Sequence, residues 1–222
     1  MKKKDQQSFQ ESRDHPPRSV RLAVLILLSA FGGITSVLLG YAGNLLSLIP
    51  LGNPISGQLL SGFHVYWLVL AAIILKRNGS ATAVGALKGS IEMILFSHLG
   101  ILVLLVSIVE GLVVDISFFC DRRMSLLSFC LAGGFSAASN IVILQLFFIQ
   151  GLPLIVSLAM YSVSFVSGAL LGGFLASKTI ENLRSFLPRF ASFPKTNPSQ
   201  TERVRPRFWC IGLTSRLKTQ NS

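Results

Sequence analysis

The chain has 222 residues, of which 51% are hydrophobic and 13% charged, and its mean hydropathy is +0.62. This exceeds what the surface of a water-soluble domain carries, so lipid must solvate much of the chain. A formal net charge of +11 would ordinarily suggest nucleic-acid binding, but the basic residues are concentrated before the first and after the last apolar segment. The composition therefore predicts an integral membrane protein with no nucleic-acid partner.

Six apolar stretches have the length, about 20 residues, that a helix needs to cross a hydrocarbon core of about 30 Å. An alternative for the first stretch, a signal peptide, is disfavoured by its full membrane length and by Arg18 and Arg21 beside it. We therefore predict an all-α integral membrane protein of about six transmembrane helices. The stretches are Leu22–Tyr41, Ser56–Leu75, Ser80–Leu99, Gly100–Cys120, Ser125–Ile149 and Pro153–Ser177.

The distribution of Lys and Arg in the connections predicts the orientation, because basic connections stay on the cytoplasmic side. Lys76, Arg77, Arg122 and Arg123 lie in the second and fourth connections, and the other three connections contain no Lys or Arg. Both termini are therefore predicted to be cytoplasmic, in a multi-pass protein of the cell membrane.

Three regions follow from this topology. Residues 1–20 form a basic cytoplasmic tail and residues 21–177 form the transmembrane domain. Residues 178–222 form a second basic tail, in which aromatic and basic residues alternate. Such a mixture favours contact with anionic lipids of the inner leaflet.

Ionisable side chains within the spans are few, and at membrane depth they are costly. Lys88 and Glu92 are four residues apart and share a helix face. Glu110 is expected near the same depth if the third and fourth spans form a hairpin. A Lys88–Glu92–Glu110 cluster would be either a ligand site or a buried structural ion pair with a protonated third partner. Asp115, near the cytoplasmic end, is expected to be structural and to point toward Arg122 or Arg123.

Neutral polar and aromatic residues are concentrated toward the outer half of the spans, where they predict an outward-opening pocket above the charged cluster. Each of them is also compatible with an ordinary interhelical hydrogen bond or an interfacial position. The candidate substrate-binding residues are His64, Trp67, His98, Asn140 and Tyr161, together with Glu92 and Glu110.

Small residues recur at every fourth position in two spans, which permits close approach of helices. Gly32, Ser36 and Gly40 form such a face in the first span, and Ser164, Gly168, Gly172 and Ala176 form one in the sixth. At least one face is expected to pack within the chain. The other, on Gly32, Ser36 and Gly40, is a candidate contact for a partner protein.

The sequence lacks the motifs of nucleotide hydrolysis, zinc chemistry and acyl transfer, so neither a metal nor another cofactor is expected. Active transport by this chain would require a partner. An internal repeat of matching span pairs, which would favour a self-sufficient secondary transporter, is also missing from the sequence.

The segments GALKGSIE (85–92) and VEGLVVD (109–115) resemble the substrate-binding S components of energy-coupling factor (ECF) transporters, most of all the YkoE-like thiamine or hydroxymethylpyrimidine group. The resemblance implies a six-helix vitamin-binding subunit without enzymatic activity. It also implies a transmembrane T component and two cytoplasmic ATPase subunits as partners, with the Gly32–Ser36–Gly40 face on the T component. Lys88 and the long tail depart from the family pattern.

Two classes of function remain open at this point. One is a solute-capture subunit, and the other is a small membrane enzyme or channel that uses Lys88, Glu92, Glu110 and His98. A channel would show a polar stripe through both leaflets. The outward concentration of neutral polar groups favours a binding pocket.

The predicted topology can be tested by labelling single cysteines, introduced into a cysteine-free variant, with a membrane-impermeant thiol reagent. Cysteines at Asn53, His98 and Gln150 should react in intact cells, because these connections carry no basic residues. A cysteine at Arg77 serves as the control and should react only after permeabilisation. Labelling in the reverse pattern would invert the predicted topology.

Overall fold

The computed structural model describes residues 18–46, 56–95, 100–120, 125–147, 151 and 153–186, all of which belong to the unit Met1–Ser192. Within these residues the secondary structure is helical, as predicted. The helices are α1 (Arg18–Leu46), α2 (Ser56–Leu75), α3 (Ser80–Ile94), α4 (Ile101–Cys120), α5 (Leu126–Phe147), α6 (Leu154–Ser167) and α7 (Leu175–Phe186). A π-helical segment, Gly168–Phe174, joins α6 to α7.

Five helices of the described residues are long and apolar enough to cross a membrane, with α6, the π-helical segment and most of α7 counted as one helix. Helix α3 is not one of these five helices, because it has only 15 residues and is shorter than the predicted span Ser80–Leu99. Many large apolar side chains face outward, among them Leu38 on α1 and Leu154 on α6. Outward-facing apolar surface on successive long helices is what lipid requires, so the predicted multi-pass membrane protein is confirmed.

Helix α2 is the centre of the described helices and packs against each of the others. Its residues Leu68–Ile73 are all buried and form most of the apolar core, together with residues such as Val84 on α3 and Val114 on α4. Because most of α2 beyond Leu59 is at least partly buried by other helices, the polar residues there are sheltered from lipid and can take part in interhelical contacts.

Helix α6 begins after Pro153 and continues through the π-helical segment into α7 without a break. The residues on either side of that segment, Ser167 and Leu175, both have helical dihedral angles. The continuous helix extends to Phe186, beyond the predicted end of the membrane domain at Ser177. The π-helical segment lies where α5 crosses it at very short range: a Cβ on Gly168 would lie 2.3 Å from the Gly133 carbonyl oxygen. Local π-helical geometry is a common way for a helix to accommodate such a contact.

Candidate functional site

Helices α3 and α4 form an antiparallel hairpin whose axes approach closely at glycine positions. A Cβ on Gly85 would lie 2.3 Å from the Ser107 carbonyl oxygen, and one on Gly111 would lie 2.6 Å from the Ala81 carbonyl oxygen. Both distances are shorter than van der Waals contact, so only glycine permits this packing. The glycines of the segments 85–92 and 109–115 thus bring the polar residues of those segments together.

Lys88 is the largest fully buried side chain among the described residues, with 1% of its surface exposed. Its Nζ lies 2.8 Å from Glu92 Oε1 and 3.4 Å from the Ser107 hydroxyl. The Glu92 contact is an ion pair and not a well-directed hydrogen bond, because Oε1 has no hydrogen-bond partner of good geometry in the described residues. The i,i+4 spacing on one helix correctly indicated this pair.

The register of the hairpin differs from the prediction that Lys88, Glu92 and Glu110 share one depth. Ser107 lies opposite Lys88, and Glu110 lies about one turn further toward the start of α3, since Gly111 packs against Ala81. Lys88 is therefore flanked by a carboxyl group on each side along the hairpin. Sequence reasoning missed Ser107, although it shares a helix face with Glu110 and Gly111 through i,i+3 and i,i+4 spacing.

Glu110 completes the cluster and is 1% exposed. Its carboxyl group interacts electrostatically with Lys88 and Glu92 and is hydrogen-bonded to the Asn140 side chain on α5. Ser136, one turn before Asn140, donates a hydrogen bond of 2.9 Å to the Glu110 backbone carbonyl. One carboxyl oxygen, Oε1, is buried and has no hydrogen-bond partner in the described part of the chain. Glu110 is thus held by α5 with one acceptor left unused.

Helix α2 contributes two of the predicted residues. His64 is half-buried and lies close enough to Lys88 and Glu92 to interact electrostatically with both. Trp67 stacks on Phe31 of α1, with ring centroids 6.0 Å apart and an interplanar angle of 14°. Its indole Nε1 is buried, and no described residue accepts a hydrogen bond from it.

Of the two remaining predicted residues, Tyr161 lies apart from this cluster. The Tyr161 hydroxyl on α6 donates a hydrogen bond of 2.8 Å to Gln145 Oε1 on α5, which agrees with an ordinary interhelical contact. His98 falls outside the described residues. The structure thus brings Glu92, Glu110, His64 and Asn140 together around Lys88, with Trp67 on the adjoining α1–α2 contact.

Asp115 was expected to point toward Arg122 or Arg123, which lie outside the described residues, and the structure shows it at the start of α3. Its carboxylate accepts hydrogen bonds from the backbone N–H groups of Ala81 and Thr82, at 3.3 and 2.8 Å, and from the Thr82 hydroxyl at 2.6 Å. The residue before α3, Gly79, has a left-handed conformation and no side chain to cap the helix. Asp115 supplies the missing cap from α4, where its charge also suits the positive end of the α3 dipole.

The prediction that the small-residue face of α1 contacts a partner protein must be corrected for two of its three residues. Gly32 is buried against Lys88 and Trp67, since a Cβ there would lie 3.3 Å from atoms of both side chains. Ser36 is 4% exposed. Both residues pack within this chain, so they are not available to a partner protein. Gly40 is exposed, and a Cβ placed on it would meet no atom within 4 Å, so of the three it alone faces outward.

The second small-residue face packs internally, as expected for at least one of the two. Ser164 donates a hydrogen bond of 2.9 Å to the Ala137 carbonyl, and its hydroxyl lies 3.0 Å from that of Ser61. Ala176 is fully buried. Among the described residues, no group of three or more His, Cys, Asp or Glu side chains lies close enough together to hold a metal ion.

Comparison with known proteins adds two findings. Residues 20–139 match the family described as "ABC-type cobalt transport system, permease component". The chain is also similar to a solved structure described as "Crystal structure of an S-component of ECF transporter", with a TM-score of 0.72 and 21% identity. That similarity covers 79% of this chain and 90% of the other, and at this identity it establishes a shared fold. No curated protein matches the chain.

The buried ion pair predicts a characteristic pattern of stability in a double-mutant cycle. Lys88→Met should lower the free energy of unfolding by about 3–5 kcal/mol, because it leaves the Glu92 carboxylate buried without its partner. The double variant Lys88→Met/Glu92→Met should recover much of this loss, since no charge of the pair remains. Thermal unfolding in detergent measures both. A Lys88→Met variant as stable as the parent would contradict the ion pair.

Proposed function

The chain belongs to the family of permease components of ABC-type cobalt transport systems, and we propose that it is the substrate-capture S subunit of an ECF-type importer. The family consists of transporter components and not of enzymes, which removes the alternative of a membrane enzyme. The S-component fold supports the same class of function. The capture role, the ligand and the partners are our proposal.

The observation that carries this proposal is the state of Glu110. A carboxyl group that is 1% exposed within a membrane domain is costly, and one of its oxygens has no hydrogen-bond partner in the described residues. A purely structural carboxyl group would be expected to have both oxygens satisfied. An unused acceptor near Lys88, Glu92 and Asn140 is what a binding site for a hydrogen-bond donor requires.

The charge of the cluster indicates the class of ligand. Lys88, Glu92 and Glu110 together carry one net negative charge when all three are ionised. A small cation, or a ligand with a polarised N–H group, relieves the cost of that charge in a medium of low dielectric constant. We propose a thiamine- or pyrimidine-like solute, bound by Glu92, Glu110, His64, Asn140 and Trp67, with His98 and Tyr161 toward the outer side.

Substitution of the two carboxyl groups tests the site. Glu92→Gln and Glu110→Gln keep the shape of the side chain but remove the charge, so a charge-assisted hydrogen bond worth about 1.5–3 kcal/mol is weakened. Affinity for thiamine or hydroxymethylpyrimidine, measured by calorimetry on the purified chain, should fall roughly tenfold or more. Glu181→Gln is the control, because Glu181 is an exposed carboxylate on α7 that pairs with Lys178.

Three outcomes separate the alternatives. Unchanged affinity in both Gln variants, while they remain folded, would make the cluster structural. Binding of Co²⁺ but of neither organic probe by the parent chain would replace the proposed ligand with the metal that the family description names. Loss in Glu181→Gln equal to that in Glu110→Gln would indicate a general effect of surface charge.

Energy for uptake must come from partners, and we propose that a transmembrane T component contacts α1 at Gly40, with two ATPase subunits bound on the cytoplasmic side. Gly40 is the position of the α1 small-residue face that lies open on the surface. A glycine at such a place allows a neighbouring helix to approach closely.

A bulky side chain at Gly40 should therefore separate transport from binding. Gly40→Leu should reduce vitamin uptake in cells that contain the partner subunits, while the isolated chain binds its ligand with parental affinity. Gly57→Leu is the matched control, since Gly57 on α2 is also exposed and has no atom near its Cβ position. Equal uptake by Gly40→Leu and the parent would show that no partner contacts this position.

A further inference from the structure

Among the described residues, two helical hydroxyl groups are buried without a hydrogen-bond partner: that of Ser80, the first residue of α3, and that of Ser36, which lies within α1. Six Ser or Thr side chains donate to the carbonyl oxygen four residues earlier, which is how a hydroxyl within a membrane helix is usually satisfied. Ser36 makes no such bond. It is 4% exposed, and its Oγ is buried without a hydrogen-bond partner among the described residues. Within the described part of the chain, this hydroxyl therefore keeps an unused donor and acceptor.

The packing of α1 places Ser36 on the side of the charged cluster. Gly32 lies against Lys88 and Trp67, and Gly33 lies against Ile91, so this face of α1 packs on α2 and α3. Ser36 follows these glycines by four and three residues and shares their face. Consecutive spans alternate in direction, so α1 and α3 run the same way. Ser36 follows Gly32 by one turn, as Glu92 follows Lys88 by one turn, so Ser36 lies at about the level of Glu92.

Trp67 is the second unused donor in this region. Its side chain packs on Gly32, and its Nε1 is buried without a partner in the part of the chain that is described. An indole N–H is only a donor, whereas two carboxyl oxygens are acceptors when ionised: Glu110 Oε1, which has no partner in the described residues, and Glu92 Oε1, which is ion-paired with Lys88. Two helices that pack beside Lys88 thus each carry a buried polar group without a partner in the described residues, Ser36 on α1 and Trp67 on α2, and the carboxyl groups of Glu92 and Glu110 flank the same lysine.

From this convergence we propose that Ser36 and Trp67 form the donor side of the ligand site, which makes α1 a ligand-binding helix. The proposal rests on the proposed function and adds a requirement for the ligand. It must present a hydrogen-bond acceptor to Trp67 and Ser36 and a donor to the carboxyl groups. An amino-substituted aromatic heterocycle has both kinds of group on neighbouring atoms, whereas a simple alkylammonium ion has only donors.

Accessibility to a polar reagent tests the position of Ser36 independently of the ligand. In a variant without Cys120, Cys130 and Cys210, Ser36→Cys should react with 2-aminoethyl methanethiosulfonate much faster than Ser29→Cys. Ser29 is the matched control, because it is a buried serine of the same helix, 1% exposed, whose hydroxyl is already bonded to the Leu25 carbonyl. Equal reaction rates for the two cysteines would overturn the proposal.

Binding measurements test the donor role. Ser36→Ala and Trp67→Phe should each weaken thiamine binding about two- to tenfold, the value of a neutral hydrogen bond. Ser29→Ala and Tyr66→Phe should not, since the Tyr66 hydroxyl already bonds Thr179 at 2.9 Å. Ser36→Ala should also keep or raise the thermal midpoint, because it removes a buried hydroxyl that has no partner, whereas loss from misfolding would lower it.

The two proposals fail in distinguishable ways. If Ser36→Cys reacts rapidly but thiamine neither binds nor protects it, the ligand class is wrong and the site on α1 stands. If thiamine binds and Glu110→Gln weakens it, while Ser36→Ala and Trp67→Phe leave it unchanged, the capture function stands and the role of α1 is wrong.

Discussion

The absence of side chains at Gly85 and Gly111 allows α3 and α4 to touch along their backbones, and the charged centre of the molecule depends on that contact. It sets the Ser107 hydroxyl beside Lys88 and the Asp115 carboxylate on the first N–H groups of α3. A side chain at either glycine would push the helices apart and separate these polar groups. In lipid, where water cannot replace a lost partner, each of them would then be exposed at considerable cost.

The charges of the hairpin are sheltered by the helices around it. Helix α5 reaches Glu110 through Asn140 and Ser136, and α2 brings His64 toward Lys88 and Glu92. Helix α1 covers Lys88 where Gly32 leaves room for its aliphatic chain. This arrangement gives the Lys88 ammonium group an ion pair and one hydrogen bond, and it leaves one oxygen of each glutamate without a well-directed hydrogen bond in the described residues. On the function that we propose, these incompletely bonded carboxyl groups are the ones that meet the ligand.

The sequence predicted the helical architecture well, because hydropathy and turn residues determine where a span starts and ends. Helix α2 has the bounds Ser56–Leu75 that were predicted, and the Lys88–Glu92 pair followed from helical spacing alone. The register of α3 against α4 could not be predicted, since it depends on which glycines meet. For the same reason Ser107 was missed and Glu110 was placed at the wrong level. The periodicity of α1 showed a small-residue face but not that Gly32 and Ser36 turn inward while Gly40 turns outward.

The central position of α2 has a consequence for biogenesis. This helix is the second to enter the membrane, yet several of its polar partners belong to the last helix. The Ser61 hydroxyl meets Ser164, and Ser167 donates to the Leu59 carbonyl at 2.6 Å. Until α6 has been synthesised and inserted, these groups of α2 face lipid or incomplete neighbours. The core can therefore close only after α6 has been inserted, and until then α2 lacks the polar partners that this later helix supplies.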